Sequence, residues 1–301
     1  MSIPKVTIIT LNWNGKKDTI ECLESLKQVT YPNYEILLVD NGSTDGSAEL
    51  FREHYPGIKI VENEKNLGFT GGCNIGIKKA ISDGADYILL LNNDVAVEPD
   101  FLDELISVAK KNENIGILGT KINYYDATDQ IWAAGGFINY WICLVAYHGM
   151  DKRDTEKYSR EKDVDFVSGC AMLIKAGLFQ KIGLLDERYF AYFEDVDICL
   201  MAKKNGCGIR YVPSAKIYHK VSRTSGGALS PFSLYYNTRN KLLFLRKHFH
   251  MPQLLTAFIV IMAVFGIRTL YLLIFRRDIR ACSMIFKGIE DAFIGRFGAQ
   301  I

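Results

Sequence analysis

The sequence predicts an α/β fold with a mostly parallel sheet, followed by a helical and hydrophobic C-terminal segment. Three observations carry that expectation. Over the first 120 residues, short β-branched runs alternate with amphipathic segments of helical length. Several of those runs end in clusters of Asn, Asp and Gly. Beyond His250 the composition turns sharply apolar and then basic. Strands separated by helical segments form βαβ units, and such units build parallel sheets.

In order, Val6 to Trp13 reads as a buried strand and Lys16 to Lys27 as a helix, with Ile20, Leu23 and Leu26 spaced along one apolar face. Glu35 to Asp40 is the second strand and Gly46 to Tyr55 the second helix. Ile58 to Val61 is the third strand, followed by a glycine-rich turn and a helix from Gly71 to Ser82. Tyr87 to Leu91 is a fourth strand, and Pro99 to Lys111 a helix whose proline suits a first turn. Ile115 to Ile122 is a fifth strand. From Tyr124 to Asp163 the pattern is irregular and aromatic-rich, after which Val164 to Lys175 looks strand-like. Glu194 to Lys204 reads as a helix, Ile209 to Val212 as a strand and Pro231 to Phe249 as a helix.

A chain of 301 residues suffices for one large α/β domain with appended structure. The net charge of +2 gives no support to nucleic-acid binding, which usually needs a markedly basic surface. The seven cysteines are scattered, odd in number and without a C-x-x-C pair, so neither a zinc site nor a disulfide framework is indicated. Such thiols suit a reducing compartment, taken to be the cytosol. The start MSIPKVTIITLNW lacks the pattern of a signal peptide.

In open parallel sheets ligands bind at the carboxyl ends of strands, so the polar residues after each strand are the ones to weigh. LLVDNGSTDGS (37–47) places Asp40 where it could accept a hydrogen bond from a pyrimidine N–H. A turn with an N-cap reads equally well there. In NLGFTGGCNIG (66–76) the glycines let backbone approach a phosphate or ribose, although a structural turn fits too. The segment is neither G-x-G-x-x-G nor a P-loop. LLLNNDV (89–95) sets Asn92, Asn93 and Asp94 at a strand end, where hard oxygen ligands suit Mg²⁺ or Mn²⁺ with a diphosphate. YFAYFEDVDICL (189–200) embeds Glu194, Asp195 and Asp197 among aromatics, which raises carboxylate pKa and makes one of them a usable base. The same acids would also suit the first turn of a helix. IYHKVSRTSGG (217–227) offers His219, with Ser222, Arg223 and Ser225 nearby.

Taken as an ordered set, TLNWNG (10–15), VDNGSTDGS (39–47), NLGFTGGCNIG (66–76), LLNND (90–94), VSGCAMLIK (167–175), YFEDVDIC (192–199) and His219 resemble the family-2 inverting glycosyltransferases of the GT-A fold, in particular the rhamnosyltransferase-like group. The resemblance covers about residues 5 to 245. It implies a Rossmann-like nucleotide-binding half with a mixed, mostly parallel sheet. The corresponding division is a 1–250 domain, with 1–120 as nucleotide-sugar half and 121–250 as acceptor and catalytic half, followed by 251–301. It further implies that Asp40 binds the nucleotide base, that Asn12 and Asn66 line the nucleotide pocket with Gly72 and Asn93 on the donor side, and that Gly169 and Cys170 flank the donor sugar and acceptor. Asp94 falls where the last acid of a D-x-D metal motif stands, and His219 matches a metal-holding histidine. Asp195, beside Glu194, would be the general base. Asn92 replaces the motif's first aspartate, which lowers the charge offered to a metal. The implied partners are a UDP- or dTDP-linked sugar, with rhamnose suggested by the subgroup, and a glycan or lipid-linked acceptor.

Two rivals are a nucleotide-sugar-binding protein without turnover and a nucleotidyltransferase. The second would want a glycine- and lysine-rich N-terminal loop, which TLNWNGKKD is not. Leu254 to Phe275, as a helix, would span about 33 Å, roughly a bilayer core. Arg268 near its centre and the basic Arg276, Arg277 and Arg280 favour a helix lying at a membrane surface, or packed in a homo-oligomer, over one that spans. The expected location is the cytoplasmic face of the cell membrane.

Overall fold

A computed structural model describes residues 3–221 and 227–301. They fall into two units: one holds the described residues of 1–136, 147–186 and 195–221, the other those of 137–146, 187–194 and 222–301.

The first unit begins with β1 (Val6–Asn12), α1 (Lys16–Leu26), β2 (Tyr34–Asp40), α2 (Ser47–His54), β3 (Lys59–Glu62), α3 (Gly68–Ser82) and β4 (Tyr87–Asn92). These four strands lie in the order β3-β2-β1-β4, all parallel. β1 and β4 are buried almost from end to end, as expected of strands covered on both faces. Register sets Asn12 beside Asp40 and Leu11 beside Asn92, so three chain ends reach one level at the carboxyl edge. The glycines of α3 serve packing: a Cβ at Gly72 would meet Leu11 Cδ1 at 2.4 Å, and one at Gly76 would meet Ile9 Cγ2 at 2.7 Å.

Next come β5 (Val95–Val97), α4 (Phe101–Lys111) and β6 (Ile115–Tyr124). Helix α4 buries Phe101, Leu102, Leu105, Ile106, Val108 and Ala109 as one face. The irregular stretch resolves into short strands: β7 (Gln130–Ala133), β8 (Gly136–Asn139), β9 (Leu144–Tyr147), β10 (Lys152–Arg153) and β11 (Lys162–Asp163). β8 and β9, whose residues 137–146 belong to the second unit, pair with each other in a separate two-stranded sheet. Then follow β12 (Ala171–Lys175), α5 (Leu178–Ile182), α6 (Glu194–Lys204) and β13 (Gly208–His219). β12 runs antiparallel between β4 and β6, which makes the sheet mixed. Among the described residues this sheet has eleven strands.

Two expectations change here, and one strand is new. Val164 to Lys175 is strand only from Ala171, because Ser168 and Gly169 turn the chain and the Ser168 carbonyl accepts the Ala171 N–H. The strand expected at Ile209 to Val212 continues to His219 through a register shift between Val212 and Lys216, where Pro213 interrupts the ladder. β5, too short to show a period, pairs antiparallel with the end of β13 and sets His219 opposite Val95.

The second unit is chiefly helical: α7 (Pro231–His248), α8 (Gln253–Tyr271), a π-helical turn Leu272–Arg276 and α9 (Ile279–Ile294). Ser230 caps α7 by accepting the Ser233 N–H, with Pro231 in the first turn. α9 lies within the C-terminal segment expected to be helical; Asp278 caps it, and Ala281, Cys282, Ile285, Gly288 and Ala292 form its buried stripe. A Cβ at Gly288 would lie 2.8 Å from the Tyr235 carbonyl oxygen, so glycine lets α9 approach α7. Arg239 is fully buried, donating to the carbonyls of Arg188, Tyr189 and Gly298. Asn240 donates to those of Tyr189, Ala191 and Tyr192. The loop they hold carries Phe190, Tyr192 and Phe193 at positive φ, a strained conformation for bulky residues that needs such anchoring.

Candidate active site

At the carboxyl edge, Asp40 is buried: its Oδ1 accepts from Asn12 Nδ2 at 2.7 Å and its Oδ2 from the Ser43 N–H at 2.9 Å. The Asn12 amide, fully buried, also donates to Ser43 Oγ (3.0 Å) and Ser47 Oγ (2.8 Å). Its Oδ1 accepts from Thr19 Oγ1 (2.9 Å), and Asn93 Nδ2 donates to that hydroxyl oxygen at 2.8 Å. Asp40, Asn12, Thr19 and Asn93 thus form one hydrogen-bonded chain across β2, β1, α1 and the end of β4. Thr19 was invisible to sequence reasoning because it reads as an ordinary helix residue. Asn66 joins a second network, accepting from Asn41 Nδ2 and from the Gly68 N–H at the start of α3. Asn41, buried and bonded also to Asn63 and Leu67, is the centre of that network.

Asp94 and His219, far apart in sequence, meet with Asp94 Oδ1 3.2 Å from His219 Nε2. Both side chains are buried. Burial opposes ionisation of Asp94, but the imidazole contact outweighs it and holds the carboxyl below its usual value. Among the described residues His219 Nδ1 has no hydrogen-bond partner, and Asp94 Oδ1 has none beyond its contact with Nε2 of that ring. A buried carboxylate oxygen that faces only an imidazole nitrogen keeps lone pairs to spare, which a cation could take up. Two adjacent ligands about 2.1 Å from an octahedral ion stand about 3 Å apart, so the pair fits Mg²⁺ or Mn²⁺. Among the described residues no third His, Cys, Asp or Glu joins them. Remaining ligands would come from diphosphate oxygens. Ser222, Arg223 and Ser225 lie outside the described residues.

Asp195, half-buried in the first turn of α6, has Oδ1 accepting from the Val196 N–H (2.8 Å). Its Oδ2 accepts from the Gly169 N–H (3.0 Å) and the Tyr147 hydroxyl (3.4 Å). Burial raises this carboxyl above its ordinary value, while those donors pull it partly back. Gly169 has reason to be glycine, since its Cβ would sit 3.3 Å from that of Asp195. The Cys170 thiol is buried and pushed far up by desolvation; its backbone carbonyl instead accepts the Asn92 N–H. Glu194 is buried. Lys220, next to His219, inserts its ammonium between Asp18 (2.8 Å) and Glu21 (2.5 Å) of α1. A depression lined by Pro4, Tyr87, Lys175 and Leu178 lies at the opposite, amino ends of β1 and β4.

The family model of glycosyl transferase family 2 matches residues 7–183, more than half of the chain. The chain belongs to glycosyl transferase family 2. This family-2 glycosyltransferase is 30% identical over 228 residues to a Mycobacterium tuberculosis N-acetylglucosaminyl-diphospho-decaprenol L-rhamnosyltransferase, covering 68% of this chain and 72% of the relative. It is 26% identical to the dTDP-rhamnosyl transferase RfbF of Shigella flexneri, with 82% of each covered. Among solved structures, a Pyrobaculum calidifontis mannosyltransferase in complex with GDP-Man and Mn²⁺ aligns over 98% of this chain and 89% of its own, at TM-score 0.60 and 14% identity. GalNAc-T7 with UDP, GalNAc and Mn²⁺ aligns over 79% of this chain, which spans about half of it (47%), at TM-score 0.63 and 18% identity. These likenesses establish the GT-A fold, here a mixed sheet flanked by helices with a helical C-terminal segment.

Proposed function

We propose that this family-2 glycosyltransferase is an inverting enzyme that transfers rhamnose from dTDP-rhamnose to a lipid-diphosphate-linked sugar. The observation that carries the catalytic reading is the meeting of Asp94 and His219 at the carboxyl edge of the sheet. Donor and acceptor are inferred from the rhamnosyltransferase names of two relatives. Asp40 recognises the base, and Asn12, Asn66, Gly72 and Asn93 shape the donor pocket, chiefly by holding one another and the backbone in place. Asp94 and His219 would hold a divalent cation, whose charge would offset that on the departing diphosphate. Asp195, with Glu194 behind it in the chain, takes the proton of the acceptor hydroxyl. The hydroxyl oxygen attacks the anomeric carbon from the face opposite the diphosphate. The bond to the diphosphate oxygen breaks with its electron pair leaving as dTDP, so one displacement inverts the configuration. Gly169 and Cys170 contribute backbone, one donating to Asp195 and the other accepting from Asn92. Incubation with dTDP-rhamnose, Mn²⁺ and N-acetylglucosamine joined through diphosphate to a decyl chain should release dTDP and yield a disaccharide of inverted anomeric configuration by NMR. Retained configuration, or no release of the matching nucleoside diphosphate from any of a panel of dTDP- and UDP-sugars, overturns the reading.

The acceptor's lipid gives the C-terminal unit its role. Gln253–Arg276 is long and apolar enough to cross a membrane, with mean hydropathy 2.4 and only 22% of its most apolar window buried. The covered residues of α8, Ala257, Ile261, Phe265 and Thr269, form a narrow stripe, leaving Ile259, Ile267, Ile274 and Phe275 exposed. The unit binds the cytoplasmic membrane surface with these residues among the lipid chains and Arg276, Arg277 and Arg280 at anionic headgroups. Co-sedimentation with phosphatidylglycerol vesicles that weakens with salt supports this. Recovery in the supernatant as a defined homo-oligomer would instead assign the apolar face to self-association.

A further inference from the structure

Two aromatic rings join the halves of the site, and neither belongs to the sequence motifs. Trp132 on β7 sets its ring edge-on to His219, with centroids 4.7 Å apart and planes at 82°. Tyr147 at the end of β9 lies 5.0 Å from Trp132, tilted by 39°, and its hydroxyl reaches Asp195 Oδ2. An unbroken path of contacts therefore runs from the Asp94–His219 pair through Trp132 and Tyr147 to the carboxylate of Asp195. Both rings are only half-buried. Behind them Phe166, almost wholly buried, packs on Tyr147 with centroids 5.2 Å apart and fixes its tilt. Gly136 makes room for that support, because a Cβ there would fall 2.2 Å from the Phe166 ring.

The part of each ring that remains in water is apolar surface whose burial against another apolar face is favourable. A pyranose suits such a face: its axial C–H groups form an apolar surface while its hydroxyls point to the rim. Next to Tyr147 stands the carboxylate to which an acceptor hydroxyl would hydrogen-bond. We propose that Trp132 and Tyr147 form a stacking platform for the acceptor sugar, holding its ring so that one hydroxyl meets Asp195. This rests on the assignment of Asp195 as base, and it adds a binding subsite contributed by Trp132 and Tyr147.

The probe is N-acetylglucosamine joined through diphosphate to a decyl chain, followed both in turnover with dTDP-rhamnose and by equilibrium binding to the full chain with dTDP and Mn²⁺. Trp132→Leu keeps apolar bulk but offers no ring, and Trp132→Phe restores one. Tyr147→Phe keeps the ring without the hydroxyl, and Tyr147→Leu removes the ring. Both leucine variants should weaken probe binding and raise acceptor KM at least ten-fold, with donor KM within two-fold of wild type. Both phenylalanine variants should stay within about three-fold of wild type for probe binding. Leucine variants that bind like wild type, or that change donor KM instead, overturn the platform, as does failure of the wild type to bind the probe. If the probe binds with the expected pattern but dTDP-rhamnose is not consumed, the platform stands and the donor assignment falls.

Discussion

Asp195→Asn separates chemistry from folding more cleanly than any other change at this site. The asparagine is nearly isosteric, so the donor binding proposed at Asp40 and the Asp94–His219 pair should persist. Two opposed effects act on stability. The carboxylate receives N–H groups on both oxygens, from Gly169 at 3.0 Å and Val196 at 2.8 Å. An amide has one oxygen, so one of these donors is left facing an NH₂ group, at a cost of about 1–3 kcal/mol. Against that, the variant no longer places a charge in a partly desolvated position, the cause of the carboxyl's raised pKa. The melting temperature at neutral pH should therefore move by only a few degrees. Transfer should fall far more, because a positioned base is worth about 10²–10⁴ in rate, or roughly 2.7–5.4 kcal/mol in the barrier. The pH behaviour follows from the sign of the shift. The base must be ionised, so wild-type kcat/KM falls as pH drops through a pKa above the ordinary carboxylate value, and this limb vanishes in the residual activity of the variant. For stability the sign is reversed: a raised folded pKa means the native state binds this proton more tightly than the unfolded chain. The group's unfavourable contribution thus appears as pH rises through that window, and wild type gains on the variant as pH falls. Steady-state transfer, donor binding by calorimetry and melting curves from pH 4 to 8 measure all three. Transfer within three-fold of wild type, with the acid limb intact, refutes the assignment of Asp195 as base.

Mn²⁺ with dTDP should stabilise the wild type by RT ln(1 + [L]/Kd), about 2.7 kcal/mol at a hundred times Kd, and Asp94→Ala and His219→Ala should each lose most of that gain in a thermal-shift titration. An undiminished metal-dependent shift in both variants would remove the pair as ligands. Lys220→Met should destabilise the fold by about 2 kcal/mol, because it removes the buried ammonium that both Asp18 and Glu21 face. A urea midpoint unchanged from wild type counts against that clamp. Gly136→Ala should cost about 1–3 kcal/mol by overpacking against Phe166, and acceptor KM should rise with it as Tyr147 loses its backing. Loss of stability with unchanged acceptor KM would confine Gly136 to a packing role.

The parallel half of the sheet was legible because its strands are continuous apolar runs and its helices repeat at helical spacing, both local signals. The same locality explains the failures. β5 has three residues and β7 four, too few to show a period, so nothing in the chain before folding says that β5 will pair with the end of β13. Yet that pairing is what carries His219 to Asp94. Pro213 made the expected strand end early, whereas the ladder resumes beyond it because β6 continues to offer partners through Tyr124. The roles of polar residues divide in the same way. Asp40 and Asn93 stood out as strand-end polar groups, but Thr19, which links Asn12 to Asn93, is one threonine on a helix and acquires meaning only from what α1 faces. Trp132 and Tyr147 lay in a stretch that showed only aromatic enrichment without order. The proposed donor side shows in sequence because it sits on long elements with fixed ends. The proposed acceptor side is assembled by tertiary pairing, and there the residue types are visible while their juxtaposition is not.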